Sequence, residues 1–249
     1  MAETVQGRTK ALRSLALSLG ADLVGVANLQ PLRPIYTYPF DLLAPYKFGV
    51  SVAVRLADPV IDGITRHDPT AVYARHYATA NALLDQIAFR LAGYIQGKGF
   101  RALPVHASQQ LGEKRWYGAI SHKAVARGAG LGWIGESLLL VTPQHGPRVR
   151  LATVLTDMPL AAGTPAARAC GACRACIEVC PAGALRGVGA MEFPESRELA
   201  LNTAACAGRL DFFERDPGVG QPVCGLCVQA CPYGKKAGRG KADPQIHAD

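Results

Sequence analysis

Eight cysteines lie between Cys170 and Cys231, and the first 169 residues of this 249-residue chain contain none. Thiolates bind soft metals or bridge to one another, and spacing and compartment decide between the two. The first four run Cys170-x-x-Cys173-x-x-Cys176-x-x-x-Cys180-Pro181. Three thiolates on one tight turn can hold three irons of a cubane. The fourth, sent off by the proline and the start of a helix, reaches a second cubane. Cys206 followed by Cys224-x-x-Cys227-x-x-x-Cys231-Pro232 is the same run with its first member displaced. The pattern predicts two 4Fe–4S clusters with no thiol left over. Cluster 1 takes Cys170, Cys173, Cys176 and Cys231, and cluster 2 takes Cys180, Cys206, Cys224 and Cys227. Zinc also takes Cys-x-x-Cys pairs, but it does not need three evenly spaced cysteines and a Cys-Pro pair twice over. A disulfide scaffold would be shorter and would spread its bridges along the chain.

Gly130-x-Gly132-x-x-Gly135 matches the dinucleotide fingerprint letter by letter. That motif needs a strand before it and a helix after it, so that a pyrophosphate meets a helix N-terminus. Here the helical-looking segment His122 to Arg127 precedes the glycines and the apolar Leu138 to Val141 follows. The order is reversed, which argues against a dinucleotide site. Two readings stay open for the run. It lets a flat cofactor or a cluster approach the backbone closely, or it is a tight connection with Trp133 in the core. His106, at the end of an expected strand, has a side-chain type suited to proton transfer near neutrality. Tyr117 and His122 could line the same cavity. His76 and Tyr73 read as packing residues of a long helix.

The elements that must position these residues follow from periodicity. A helix is expected near residues 8–20, stopped by Gly20, then strands at 22–28 and 48–56. Residues 30–46 between them are rich in Pro and Tyr and read as a surface loop packed by its aromatics, or as a lid. Asp68-Pro69 caps a helix running to about residue 96, with Val72, His76, Ala80, Leu83, Ile87 and Leu91 on one face. A strand at 101–107 and a Ser121-capped helix to about 128 follow. Strands at 137–142 and 149–157 are expected to pair as a hairpin across Pro143 to Pro147. Antiparallel strands beside long helices give an α+β fold over residues 1–160. Small residues at 161–165 read as a linker to a ferredoxin-like double-cluster domain over 161–235. A basic tail over 236–249, with Arg239 and Lys241 following Lys235 and Lys236, reads as a flexible end.

Composition bounds the function. Apolar residues make up 49% and charged residues 18%, enough for a buried core and too little charge for a disordered chain. No run reaches a membrane span, and no cleavage site follows the N-terminal apolar stretch, so a cytoplasmic protein is expected. The formal charge of +8 falls to about +4 once each cluster with its four thiolates brings about −2. Basicity is then a weak argument for nucleic acid.

The run Ala129-Gly130-Leu131-Gly132-Trp133-Ile134-Gly135, the strand ending Leu155-Thr156-Asp157-Met158-Pro159-Leu160 and the split cysteine groups together resemble the epoxyqueuosine reductases, relatives of the reductive dehalogenases. The close resemblance covers residues 120–232. It implies an N-terminal domain like those of nitroreductases and cobalamin-processing proteins. It also implies a corrinoid (cobalamin) near Gly130, Leu131, Gly132, Trp133, Ile134 and Gly135, and a cluster that reduces its cobalt. Three departures stand out. Val105-His106-Ala107-Ser108 occupies the place of that family's Val-Asp-Ser/Thr element, so its proposed proton donor is absent and His106 stands there. Glu136 replaces a usual Lys. The sequence stops soon after Cys231, short of the helical-repeat extension that helps those enzymes hold tRNA.

These features argue against tRNA modification and for an iron–sulfur oxidoreductase passing electrons to a bound corrinoid, for reduction of a small molecule or of the corrinoid itself. The electrons would come from a donor protein such as a ferredoxin or flavodoxin. The other readings are an electron carrier with a docking domain and no organic cofactor, and a flavin in place of the corrinoid.

Overall fold

The computed structural model describes residues 3–109, 111, 117–189, 194 and 196–236. Helix α1 (Val5–Ser18) starts where the Thr4 hydroxyl accepts the Gly7 N–H at 3.0 Å, and ends before Gly20, whose φ is +103°. Strands β1 (Leu23–Asn28) and β2 (Phe48–Arg55) follow, then a short helix α2 (Asp58–Asp62) and the long helix α3 (Ala71–Gly97). Strand β3 (Ala102–Val105) and helix α4 (His122–Gly128) come next. The two-residue strands β4 (Trp133–Ile134) and β5 (Leu140–Val141) and the long strand β6 (Val149–Thr156) close this part. Four helices follow: α5 (Ala175–Glu178), α6 (Thr203–Arg215), α7 (Leu226–Gln229) and α8 (Pro232–Lys236).

The main sheet has the order β1-β2-β6-β3 and every pair in it is antiparallel. Alternation along its strands produces two apolar faces. Val24, Val26, Val50, Val52, Val54, Ala152 and Val154 pack with Leu12 of α1 and with Leu84, Ile87, Leu91 and Ile95 of α3. The opposite face takes α4, and it does so closely. A Cβ on Gly25 would lie 2.7 Å from the Ala129 carbonyl oxygen, and one on Gly49 would lie 2.8 Å from a Val125 methyl. A mixed α/β fold with an antiparallel sheet results.

Three expectations need correction. First, β5 does not pair with β6. Both edges of β6 are taken by β2 and β3, so Leu140 and Val141 pair instead with Ile134 and Trp133 inside the glycine run. Second, α3 is capped by Thr70, whose hydroxyl accepts the Tyr73 N–H, while Asp68, two residues earlier, accepts the Thr70 N–H. Third, the buried face of α3 runs through Tyr73, Ala80, Leu84, Ile87, Leu91 and Ile95, which leaves Val72 64% exposed. The expected basic tail, including Arg239 and Lys241, lies outside the described residues apart from Lys236.

The cysteine-bearing segment is not an appendage. Val223, Leu226 and Val228 belong to the same apolar cluster as Ile64, Tyr73 and the main sheet. The Gln229 amide donates to the Ile64 carbonyl at 2.9 Å. Gly225 stands at this joint with φ +76°, and a Cβ there would lie 2.6 Å from Ile64 and 2.8 Å from Tyr73. Helices α5 and α7 pack against each other. At the 161–165 linker, Gly163 donates to the Val26 carbonyl at 2.8 Å, which lays the connection along β1. Among the described residues no helix is long and apolar enough to cross a membrane.

Gly225→Ala should combine a left-handed backbone with a steric overlap. A loss of about 1–3 kcal/mol in unfolding free energy is expected, to be read by anaerobic denaturant titration of the metal-loaded protein.

Candidate metal centre

Cys170, Cys173, Cys176 and Cys231 line one cavity, together with Gly135, Glu136, Ser137, Val141, Pro232 and Tyr233. These are the four thiols assigned by spacing to cluster 1. Helix α5 carries Cys176 and helix α8 begins just after Cys231, so two chain segments some 50 residues apart face one space. The glycine run backs this cavity. The Trp133 indole N–H donates to Cys170 Sγ at 3.4 Å, and its ring meets the Tyr233 ring edge-on at 4.9 Å. The Tyr233 hydroxyl donates to the Ala169 carbonyl at 2.7 Å.

The other four thiols form a second neighbourhood. Cys206 lies in the electrostatic field of Cys180 and Cys224, and Cys227 in that of Cys224, Cys206, Cys176 and Cys180. The Cys176–Cys227 relation joins the two neighbourhoods across α5 and α7. Cys180 Sγ accepts the Ala184 N–H at 3.4 Å.

The chemistry of both donor sets suits a cationic inorganic core. Burial, then the neighbouring thiols, push Cys176 up to about 11 and Cys227 up further. Burial also raises Cys206 and Cys231. Thiolates crowded in a dry site repel one another. A bound metal core supplies the missing positive charge and deprotonates its ligands. Among the described residues no three His, Cys, Asp or Glu side chains converge as they would on a single ion.

A separate polar group gathers at the end of β3 and the start of α4. The His106 ring places Nδ1 3.5 Å from Asp85, whose carboxylate also accepts the Ala107 N–H at 2.7 Å. The ring is 42% exposed, with no side-chain hydrogen bond among the described residues. His122 is spent otherwise. Its Nε2 donates to the His106 carbonyl at 3.0 Å, which leaves Nδ1 to accept from the Thr153 hydroxyl at 2.8 Å. Burial pushes this ring down to about 4. Lys123 donates to the Leu138 carbonyl at 2.6 Å, and burial, then Arg197 and Arg150, bring its ammonium down to about 8. Arg150 lies over the Tyr77 ring and bonds Asn81 and Ser108. Tyr73, on the same helix, feels both Arg150 and the thiols Cys227 and Cys224. The field of the cluster 2 thiols thus reaches α3 at Tyr73 and α4 at Lys123.

His106 and His122 are thus brought together, one as a ring beside a carboxylate and one as a brace. Tyr117 makes its contacts elsewhere, edge-on to Tyr36 at 4.8 Å and beneath the Arg197 guanidinium at 3.9 Å. Trp133 is 4% exposed and Ile134 is buried, so the Gly130–Gly135 run turns inward toward cluster 1. A Cβ on Gly132 would overlap the Val141 backbone, and one on Gly130 the Thr164 carbonyl. Sequence reasoning missed Asp85. It is the one acid in the 27 residues of α3, and that isolation was the available signal.

Residues 169–234 match the family model of the 4Fe-4S double cluster binding domain. This segment is a 4Fe–4S double cluster domain. The chain is also similar to epoxyqueuosine reductases. It is 45% identical over 74 residues to that of Listeria monocytogenes, covering 30% of this chain and 20% of that protein. It is 29% identical over 184 residues to that of Xanthomonas campestris, covering 70% of this chain and 48% of that protein. The chain thus spans at most about half of these relatives. Among solved structures, the catabolic reductive dehalogenase NpRdhA in complex with 3-bromo-4-hydroxybenzoic acid superposes with a TM-score of 0.71 at 20% identity. That match covers 93% of this chain and 32% of that one. Epoxyqueuosine reductase from Bacillus subtilis gives 0.64 at 22% identity, covering 91% and 65%. A reductive dehalogenase described with B12-dependent dehalogenation gives 0.69 at 21% identity, covering 92% and 32%. These likenesses establish a shared fold.

Cys206→Ser should lower iron from about eight to about four per chain, as counted on anaerobically purified protein. Acid should also act through His122. The unfolded chain takes up this proton near pH 6.5 and the native ring only near 4, so stability is flat above 6.5 and falls below it. The loss reaches about 3 kcal/mol by pH 4. His122→Gln should flatten that slope, measured as the denaturant midpoint above pH 6.5 and about one unit below it.

Proposed function

We propose that the protein is an iron–sulfur oxidoreductase that delivers electrons through its two clusters to a corrinoid bound against the N-terminal domain. The electrons serve the reduction of a small molecule or of the corrinoid itself. One observation carries this reading. Eight thiols are sorted into two adjacent sets, one lining a cavity at the end of the glycine run and the other coupled to Tyr73 of α3 and Lys123 of α4 in the N-terminal domain. A simple carrier has no need of such an arrangement. The B12-dependent dehalogenation named for one structural neighbour, and the corrinoid that the sequence resemblance implies, support a corrinoid as the acceptor.

The clusters supply one-electron transfer. The chain's own residues do the rest. Cys173 is exposed, so an electron-donor protein of the ferredoxin or flavodoxin kind docks at the cluster 1 side. Residues of α5 and α7 bring the two thiol sets together. His106, oriented by Asp85, holds a proton at an accessible ring nitrogen, in the place where the resembling family carries an acid. Neighbouring side chains at α4 and β6 exclude water from the ring of His122 and so fix the backbone that presents His106.

Hydroxocobalamin added anaerobically to the metal-loaded protein should form a stoichiometric complex with altered absorbance. No binding at micromolar concentration would overturn the corrinoid and leave the electron carrier, and a yellow protein releasing flavin on denaturation would replace it with a flavin enzyme.

A further inference from the structure

We propose that Trp133 raises the reduction potential of cluster 1 by donating its indole N–H to a ligand sulfur. The glycine run then belongs to that cluster, as the element of the N-terminal domain that tunes it. The inference rests on the double-cluster reading above and deepens it.

The run is shaped to deliver Trp133. Gly130 leaves α4 with φ +78°, and a Cβ on it would lie 2.6 Å from the Thr164 carbonyl oxygen. A Cβ on Gly132 would overlap the Val141 carbonyl. Trp133 then pairs with Val141 and Ile134 with Leu140. Gly135 closes the turn, its N–H donating to the Leu139 carbonyl and its carbonyl accepting the Leu138 N–H, each at 2.9 Å. Side chains at these glycines would push the run off β5 and carry the indole away.

Two points of the run meet one sulfur. The Trp133 N–H donates to Cys170 Sγ at 3.4 Å, and a Cβ on Gly135 would stand 3.4 Å from the same atom. Trp133 is 4% exposed, so its N–H is shielded from water and the bond to sulfur is strengthened. The ring is held edge-on against Tyr233, whose hydroxyl donates to the carbonyl of Ala169, the residue before Cys170. The origin of this donor sets it apart. Cys231 is served by the backbone N–H groups of Tyr233 and Gly234, and Cys180 by that of Ala184, all from the cysteine segment itself. Trp133 reaches Cys170 from 37 residues away.

Reduction adds one electron to a cubane and places negative charge on its ligand sulfurs. A donor aimed at such a sulfur favours the reduced form and raises the potential. Entry of water acts in the same direction, because water solvates the added charge. Loss of the N–H and opening of the site therefore shift the potential oppositely, and the sign of the change separates tuning from packing.

The test is an EPR-monitored redox titration of the anaerobic, metal-loaded protein, with dithionite as reductant. Cys206→Ser, which keeps the cluster 1 ligands, identifies the cluster 1 wave. Trp133→Phe keeps a ring against Tyr233 and removes the N–H. It should move the cluster 1 wave downward and leave the cluster 2 wave in place. A wave that stays, or moves upward, would overturn the proposal. A second measurement needs no change at Trp133. Tryptophan isotopically labelled at the indole nitrogen is incorporated in a chain carrying Trp116→Phe, so that the label reports Trp133 alone. Pulsed EPR of the reduced clusters should then show coupling to the labelled nitrogen. Its absence overturns the proposal even if Trp133→Phe loses its iron. Wild-type iron well below about eight per chain would overturn instead the double-cluster reading beneath it.

Discussion

Crowding thiolates away from water is costly, and this chain gathers its eight thiols in two groups, with Cys176 buried and only Cys173 exposed. Burial alone drives Cys176 and Cys227 toward the protonated form, and their neighbours drive them further. Only a cationic core inside each group reverses that balance. The short helices of this segment cannot supply much themselves: α5 and α7 have four residues each, well short of what an isolated helix needs. Their geometry is inherited from the metal they hold and from the surface they rest on.

That surface is the second requirement. The antiparallel sheet presents two apolar faces, and both are used. One anchors α1 and α3. The other receives α4 at glycine-width separation and so sets the direction in which the Gly130–Gly135 run leaves the helix. Because that run turns inward, Trp133 reaches Cys170 and Glu136 reaches the same cavity. The polar group around His106 arises from the same construction, since β3 ends where Asp85 of α3 meets the Ala107 N–H.

The sequence was most legible where chemistry dictates spacing. The cysteine pattern names both thiol groups, glycine or capping signals place α1 and α4, and apolar runs place the first two strands. The failures share a cause. Strand β5 looks like half of a hairpin by local pattern, yet its partner was decided by which edges of β6 were already occupied. The register of α3 was misplaced because Tyr73, amphipathic and next to Val72, takes the buried position against Ile64 and Gly225. Asp85 was passed over because no local motif marks a carboxylate whose partner lies on another strand. Tertiary neighbours decided each of these, and no single-segment reading contains them.

The joint at Gly225 has a wider meaning. Ile64 and Tyr73 are part of the main apolar core, and they touch the turn that carries Cys224 and Cys227. Damage to an inorganic centre by oxygen would not stay local in such a molecule. It would loosen the hydrophobic interior that the sheet depends on, so loss of the centre and loss of the fold are one event.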